Sequence, residues 1–167
     1  ATPEASYKFV GWYTNEECTG EPVSKEATFV PKKVDGVYAD ATYYAKFELD
    51  VFDLTITKDG KNIDPNQIFV FHVVSANGNT DMEVTVQGIG SVTIKGLPLG
   101  TTYTVTEETD WTWQYKPDEK TKNVVINGTT AEVTFTNTYS KSNWLTSFAE
   151  VINKWINGEI KQTEIKN

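Results

Sequence analysis

Residues 91–108 read SVTIKGLPLGTTYTVTEE and contain two runs in which apolar and polar residues alternate. Alternation of this kind is the period of a half-buried β-strand. The two runs, at 90–95 and 101–107, are separated by GLPLG, and glycine and proline at this density are typical of a turn. The stretch therefore predicts two consecutive β-strands.

The same pattern continues on both sides of this stretch. Runs rich in Thr, Val and Tyr alternate with turn segments such as DGKN, SANGN, QGIG and INGT. Strands are predicted at 52–58, 67–75, 81–87, 90–95, 101–107, 122–126 and 131–138. Seven short strands with turns at this spacing are typical of an immunoglobulin-like β-sandwich. We therefore predict a mainly β fold, with the sandwich at residues 49–140.

Three polar residues occupy the apolar face of their predicted strands: Lys58 in LTITK, Glu107 in YTVTE and Asn137 in VTFTN. Burying each of these groups alone is costly, so we expect them to react or hydrogen-bond with one another in the core. The alternative is that Lys58, at a strand end, faces solvent and that Asn137 begins a turn with Thr138.

Three such groups have the parts for an amide crosslink. Desolvation lowers the pKa of a lysine and raises the pKa of a glutamic acid, so a neutral amine beside a protonated acid is favoured. We hypothesise that Lys58 attacks the carbonyl carbon of Asn137, that Glu107 is the catalytic acid, and that ammonia leaves. Glu108 has the opposite parity, and only a β-bulge would exchange it with Glu107.

The segments LTITK, SVTIKGLPLGTTYTVTEE and VTFTNTY, in that order across residues 54–139, resemble the Cna protein B-type and pilin isopeptide-linker domains of Gram-positive surface proteins. The resemblance implies an immunoglobulin-like sandwich with a first-strand Lys, a middle-strand Glu and a last-strand Asn, roles that map onto Lys58, Glu107 and Asn137. It also implies an extracellular location, on the cell wall or cell surface of a Gram-positive bacterium. The implied partners are neighbouring domains of the same surface protein.

Composition excludes several other function classes. The net charge of −8 and a pI near 4.7 argue against nucleic acid or an anionic membrane surface as partner. All fifteen basic residues are Lys. Cys18 is the single cysteine and His72 the single histidine, so no intramolecular disulfide forms and no zinc site is expected. We predict no metal, no cofactor, no membrane insertion and no enzyme activity beyond a single-turnover crosslinking.

Residues 1–48 are predicted to form a separate unit. The segments YKFVGWYTNEECTG, ATFVPKKV and TYYAKFE resemble a Listeria-Bacteroides repeat over residues 7–48. The resemblance implies a small β-grasp-like module in a surface protein. The leading strand of that family would precede residue 7, so we expect a partial repeat with an open edge and lower stability than the sandwich.

The hydrophobic period changes after residue 140. Ser142 is a candidate N-cap and Gly158 a candidate stop, which predicts one amphipathic helix at 141–158 that docks on the chain's own β surface. Residues 159–167 are charged and are predicted to be a tail. The apolar residues at helical spacing are Trp144, Leu145, Phe148, Val151, Ile152, Trp155 and Ile156.

The predicted function is a structural stalk or adhesin module whose sandwich is held by the crosslink. The alternative is a glycan- or protein-binding module, with Trp111, Trp113 and Tyr115 of the WTWQY run as ligand contacts. Packing of these aromatics in the core or at its rim would remove that alternative. The identity of a host or glycan ligand does not follow from the sequence.

Overall fold

The computed structural model describes residues 1–110, 112–140, 149–156 and 159–166, and over these residues the chain is all-β. The strands are β1 (Tyr7–Tyr13), β2 (Tyr44–Leu49), β3 (Val51–Lys61), β4 (Ile68–Ser75), β5 (Asp81–Gln87), β6 (Gly90–Pro98), β7 (Thr102–Glu108), β8 (Tyr115–Pro117), β9 (Thr121–Val125), β10 (Ala131–Tyr139), β11 (Ala149–Ile156) and β12 (Glu159–Lys166). All seven predicted strands are confirmed with small differences at their ends, and β8 is additional. Within the described part of the chain, no helix is long and apolar enough to cross a membrane.

Residues 51–139 form a sandwich of two four-stranded sheets. One sheet has the order β6-β3-β10-β8 and the other has the order β5-β4-β7-β9. Most neighbouring strands are antiparallel, but β3 and β10, the first and last strands of the sandwich, pair in parallel. The two ends of the sandwich sequence therefore lie side by side in one sheet.

The core lies between the two sheets. Alternate residues of each strand point into it, as the pleat requires: β7 alternates strictly between half-buried and buried positions, and β10 alternates between buried and exposed positions through Asn137. The buried hydrophobic cluster is Leu54, Ile56, Phe69, Phe71, Val73, Val86, Ile94, Leu97, Tyr103, Val105, Tyr115, Ile126, Ala131, Val133 and Phe135.

The N-terminal region is a two-stranded antiparallel sheet, β1 with β2, joined by a long connection. Its apolar contacts are a chain of edge-to-face and tilted aromatic pairs from Phe47 through Phe9, Trp12 and Phe29 to Tyr43. It meets the sandwich where the Ser6 hydroxyl donates to the Leu99 carbonyl oxygen. The division into domains at residue 48 stays a prediction.

The predicted C-terminal helix is wrong for residues 149–156, which form strand β11 and pair antiparallel with β12. Residues 141–148 lie outside the described part of the chain. Val151, Ile152 and Ile156 are β-branched, and their spacing fits a strand as well as a helix. The predicted tail at 159–167 is likewise a strand over 159–166. Positions 157 and 158 lie outside the described residues. Their sequence, Asn-Gly, is a pair typical of two-residue hairpins.

Candidate crosslink site

Three strands bring Lys58, Glu107 and Asn137 together. Lys58 lies on β3 and Asn137 on the adjacent β10, while Glu107 lies on β7 in the opposite sheet. Their exposed fractions are 0%, 0% and 1%, so all three side chains are in the core, as pleat parity predicts. The alternative in which Lys58 faces solvent is excluded. The β7 ladder runs without a bulge through Glu107 and Glu108, so Glu107 is the inward acid.

The carboxyl group of Glu107 contacts both of the other side chains. The Lys58 Nζ donates to Glu107 Oε2 at 3.2 Å, and the Asn137 Nδ2 donates to Glu107 Oε1 at 2.5 Å. Lys58 Nζ also donates to the carbonyl oxygen of Phe135 at 3.2 Å and lies 4.7 Å from the centroid of the Phe69 ring. One acid therefore bridges an amine and a carboxamide inside an apolar enclosure.

Gly60 allows β3 and β10 to come close beside the site. It is the register partner of Asn137, and Phe135 is the partner of Lys58. A Cβ at Gly60 would lie 2.3 Å from the backbone oxygen of Asn137, a distance that no side chain tolerates. Its φ of 152° also disfavours any residue with a side chain. Glycine at this position therefore permits the backbone contact next to Asn137.

Burial shifts the two titratable groups toward their neutral forms. Desolvation lowers the pKa of the Lys58 ammonium, although the charge and hydrogen bond of Glu107 oppose the shift. Desolvation also raises the pKa of the Glu107 carboxyl against the hydrogen bond from Asn137 and the charge of Lys58. Both directions favour a free amine beside a protonated acid, the combination that nucleophilic attack on an amide requires.

The carboxamide of Asn137 has two orientations with different partners. In the observed one, Nδ2 donates to Glu107, while Oδ1 is buried and has no partner among the described residues. A carboxylate can only accept, so this pattern suits ionised Glu107. Once Glu107 is protonated, turning the amide over presents Oδ1 to the acid hydroxyl, because amide O and N have nearly the same shape. The acid then polarises the carbonyl that the amine attacks.

Sequence reasoning missed the groups that surround these three residues. Phe69 is an ordinary strand residue in the sequence, and only the fold places its ring against the Lys58 amine. Asp118 directly follows β8, and Lys122 lies at the start of β9. They form an ion pair of 2.6 Å beside β10. Their i, i+4 spacing is visible in the sequence, but outside a helix it gives no reason to expect a contact.

The predicted ligand-contact aromatics do not share one environment. Tyr115 is buried, its ring packs edge-on to Phe69, and its hydroxyl accepts a hydrogen bond from the Asp64 backbone at 3.2 Å. Trp113 is 36% exposed. Trp111 lies outside the described residues. Core packing therefore accounts for Tyr115, and a role of these residues in ligand binding stays a prediction.

The remaining chemistry-bearing residues lie apart from the site. His72 is on the outer face of β4 and contacts Asp81 at 2.6 Å. Cys18 is a partly exposed free thiol in the connection after β1. Among the residues that the structure describes, no group of three or more His, Cys, Asp or Glu side chains is placed to hold a metal ion.

Several solved structures are similar to the chain at low identity. An adhesin from Mobiluncus mulieris containing intramolecular disulfide, isopeptide and ester bond cross-links is 22% identical, with 62% of this chain and 46% of that chain covered and a TM-score of 0.47. The pilus-presented adhesin Spy0125 (Cpa) is 20% identical over 58% of this chain and 29% of that chain, also with a TM-score of 0.47. The major pilin T3.2 from Streptococcus pyogenes is 16% identical over 84% of this chain and 64% of that chain, with a TM-score of 0.48. The chain thus spans less than two thirds of each, and scores below 0.5 assign it no function.

The comparison with curated proteins finds no match. The resemblances to the Cna B-type domain and to the Listeria-Bacteroides repeat stay predictions. One family's sequence model matches residues 29–140, which include the whole sandwich and all three residues of the site. Because this match covers more than half of the sequence, the chain belongs to the family described as Domain of unknown function (DUF5979).

Proposed function

We propose that this chain is a stalk or adhesin module of a Gram-positive surface protein, held by an autocatalytic isopeptide bond between Lys58 and Asn137. The observation that supports this most is the buried carboxyl of Glu107 in hydrogen-bond contact with both the amine and the carboxamide. Three buried polar groups joined through one carboxyl, on the first, a middle and the last strand of the sandwich, have a clear chemical use as a crosslink.

The reaction balances without a cofactor. The neutral amine of Lys58 attacks Cγ of Asn137, and Glu107 donates a proton to the developing oxyanion. Glu107, now a carboxylate, moves one amine proton to Nδ2. The hydroxyl of the intermediate then returns its proton to Glu107 as the carbonyl re-forms, the Cγ–Nδ2 bond breaks, and ammonia leaves. The products are one secondary amide and one ammonia, and Glu107 ends in the protonation state in which it began. The chain is therefore not an enzyme in this proposal, because each molecule reacts only once and only with itself.

The energetics of burial favour this reaction. Before it, the core holds an amine and an acid that are both desolvated, together with a carboxamide oxygen that lacks a partner. Unpaired or imperfectly paired buried polar groups cost about 1–3 kcal/mol each. After it, the amine is a neutral amide nitrogen that no longer titrates. The site is thus less costly to keep folded once the bond has formed.

The strand topology supports a mechanical role. Tension that enters at Val51 travels along β3 to Lys58, and tension that leaves at Tyr139 travels along β10 from Asn137. Because β3 and β10 are adjacent and parallel, a bond between these two side chains carries the load directly from one strand to the other. The intervening residues, about eighty of them, then bear none of it.

The surface location follows the same proposal. Because Cys18 is the single cysteine, the chain has no intramolecular disulfide. Small secreted domains usually need a covalent crosslink or a comparable stabilising element. The crosslink supplies one, and neighbouring domains of the same protein are the proposed partners along the stalk.

Single-molecule pulling of the chain between marker domains tests the mechanical role. The proposal predicts that the sandwich withholds about eighty residues of contour length, roughly 280 Å at 3.5 Å per residue. Glu107→Ala should release this length because the bond does not form. Full extension of the wild-type chain at forces that unfold ordinary domains would contradict the proposal.

A further inference from the structure

The strand that carries Asn137 has an incomplete neighbour. On one side β10 pairs with β3 from Ala131 to Thr138, but on the other side β8 covers only Asn137–Tyr139. Backbone groups of β10 before Asn137 on that second side need other partners. The segment 118–122, which follows β8 and includes the first two residues of β9, supplies partners for three of them.

Asp118 holds the residue directly before Asn137 by both of its backbone groups. The Thr136 N–H donates to Asp118 Oδ1 at 3.1 Å, and the Asp118 N–H donates to the Thr136 carbonyl at 2.8 Å. Asp118 Oδ2 accepts from Lys122 Nζ at 2.6 Å. The carboxylate is thus fixed on both of its oxygens, and it in turn fixes Thr136.

Lys122 extends this grip by one more step along β10. Its Nζ donates to the Thr134 carbonyl at 2.7 Å and lies 5.2 Å from the centroid of the Phe135 ring. Its side chain is only 19% exposed. Lys122 therefore holds the strand on the far side of Thr136 from Asn137.

The same segment also reaches the catalytic acid. The backbone N–H of Glu107 donates to the carbonyl of Lys120 at 2.8 Å. Lys120 lies between Asp118 and Lys122, so one stretch of five residues contacts β10 beside Asn137 and β7 at Glu107. It links the two sheets at the point where the amide and the acid must meet.

We propose that Asp118 and Lys122 are positioning residues for the crosslinking reaction, which hold β10 so that Asn137 stays against Glu107. They touch none of the reacting atoms. Small displacements of a reacting group slow such reactions strongly, because the effective concentration of an intramolecular reactant depends on its geometry. This inference rests on the proposed crosslink.

The test is the rate of ammonia loss from the full chain. The chain is made by cell-free synthesis, samples are quenched in acid at intervals, and intact masses give the crosslinked fraction. We expect Asp118→Ala to slow ammonia loss by about tenfold. Asp118→Asn keeps an acceptor for the Thr136 N–H and should remain within about threefold of wild type. Glu119→Ala, which removes an adjacent exposed acid with no hydrogen bond to β10, should react at the wild-type rate.

Two measurements separate positioning from simple destabilisation. The same Asp118 variants are placed in a Lys58→Met background, which cannot react, and their unfolding curves give the folded fraction under the reaction conditions. Slow ammonia loss by Asp118→Ala from a fully folded population supports the inference. Wild-type rates for Asp118→Ala, or equal slowing by Glu119→Ala or by Asp118→Asn, would overturn it while the crosslink stands. Absence of ammonia loss from the wild-type chain would instead overturn the proposed function.

Discussion

The sheet β5-β4-β7-β9 takes part in two charge pairs of opposite character, one on each of its faces. On its inner face, Glu107 lies 3.2 Å from Lys58 of the opposite sheet, and neither side chain is exposed. On its outer face, His72 and Asp81 lie 2.6 Å apart and are open to water. The outer pair shifts as a simple ion pair does: the hydrogen bond to Asp81 raises the pKa of His72. The inner pair shifts the other way, because desolvation lowers the pKa of Lys58 and raises that of Glu107.

Burial, rather than distance, decides whether these pairs of charged groups stay ionised. The closer pair, His72 and Asp81, is solvated, so water and salt screen its charges and both groups can stay ionised at little cost in free energy. The more distant pair has lost its water, so its neutral forms become accessible and one of them is a nucleophile. One sheet thus carries a passive surface contact on its outer face, while its inner face supplies Glu107 to a reactive centre that forms between the two sheets.

Removing the inner acid should have the largest effect. Glu107→Ala leaves Lys58 and Asn137 unreacted, so the chain should keep the mass of one ammonia, melt at lower temperature and become sensitive to protease. The crosslink closes a loop of about eighty residues, which contributes roughly 4 to 5 kcal/mol before strain is subtracted. Intact mass and thermal unfolding measure the two consequences.

Two variants complete this experiment. Lys58→Met loses the crosslink without leaving a buried amine behind, so it isolates the contribution of the bond. Glu108→Ala alters an outward-facing side chain and should change neither mass nor melting temperature appreciably. A loss of crosslinking in Glu108→Ala instead of Glu107→Ala would show that the inner and outer faces are assigned the wrong way round.

Adding a side chain at Gly60, beside the crosslink site, should give the next largest effect. At Gly60, Ala places a Cβ 2.3 Å from the Asn137 backbone oxygen, and the resulting shift of β10 should cost about 1–3 kcal/mol and leave part of the chain unreacted. Gly78 has φ of 75° but open space around its Cβ position, so Gly78→Ala has the backbone strain without the clash. Chemical denaturation and intact mass compare them. Equal destabilisation by both variants, with full crosslinking, would contradict the close approach.

The N-terminal sheet extends the comparison, because among the described residues it is a two-stranded sheet whose side chains are mostly half-buried or exposed. In residues 1–48 only Gly11 and Tyr13 are buried, whereas the sandwich has a core between two sheets. Amide hydrogen exchange should therefore be faster in 1–48 than in 54–139. Equal protection of the two regions would show that the N-terminal unit is as stable as the sandwich.

The outer pair should give the smallest effect. Asp81→Asn should return the pKa of His72 toward its ordinary value of 6.5, and Glu83→Gln, which removes only a nearby charge, should shift it less. Because the folded pKa is raised, the stabilisation by this pair is complete below the unfolded pKa and is lost as pH rises through the folded pKa. Proton NMR can follow the single histidine directly. An unchanged His72 titration in Asp81→Asn would contradict the ion-pair account.

The sequence predicted most of the sandwich because its strands are half-buried and alternate. The same parity places Lys58, Glu107 and Asn137 inward, and the structure has all three buried, with Glu107 hydrogen-bonded to each of the other two. The catalytic role of Glu107 and the bond itself stay predictions. Parity could not reveal Asp118, because a connection without a period does not show which strand it will contact. Lys122 lies in the strand predicted at 122–126 and shares the more buried face with Val124, but parity does not show that its amine reaches β10.

The C-terminal error has a physical cause as well. The helical period fits the apolar residues Val151, Ile152, Trp155 and Ile156. Hydrophobic periodicity does not show whether a second segment supplies backbone hydrogen-bond partners, as β12 does for β11. The Asn157–Gly158 pair was the available signal for a hairpin.

The intact mass of the wild-type chain, followed by mapping of its proteolytic peptides, shows whether the bond between Lys58 and Asn137 exists. We predict a mass lower than the sequence mass by one ammonia, with that loss located in a branched peptide that joins Lys58 to Asn137. A mass equal to that of the full sequence, with Lys58 and Asn137 recovered in separate unmodified peptides, would contradict the crosslink.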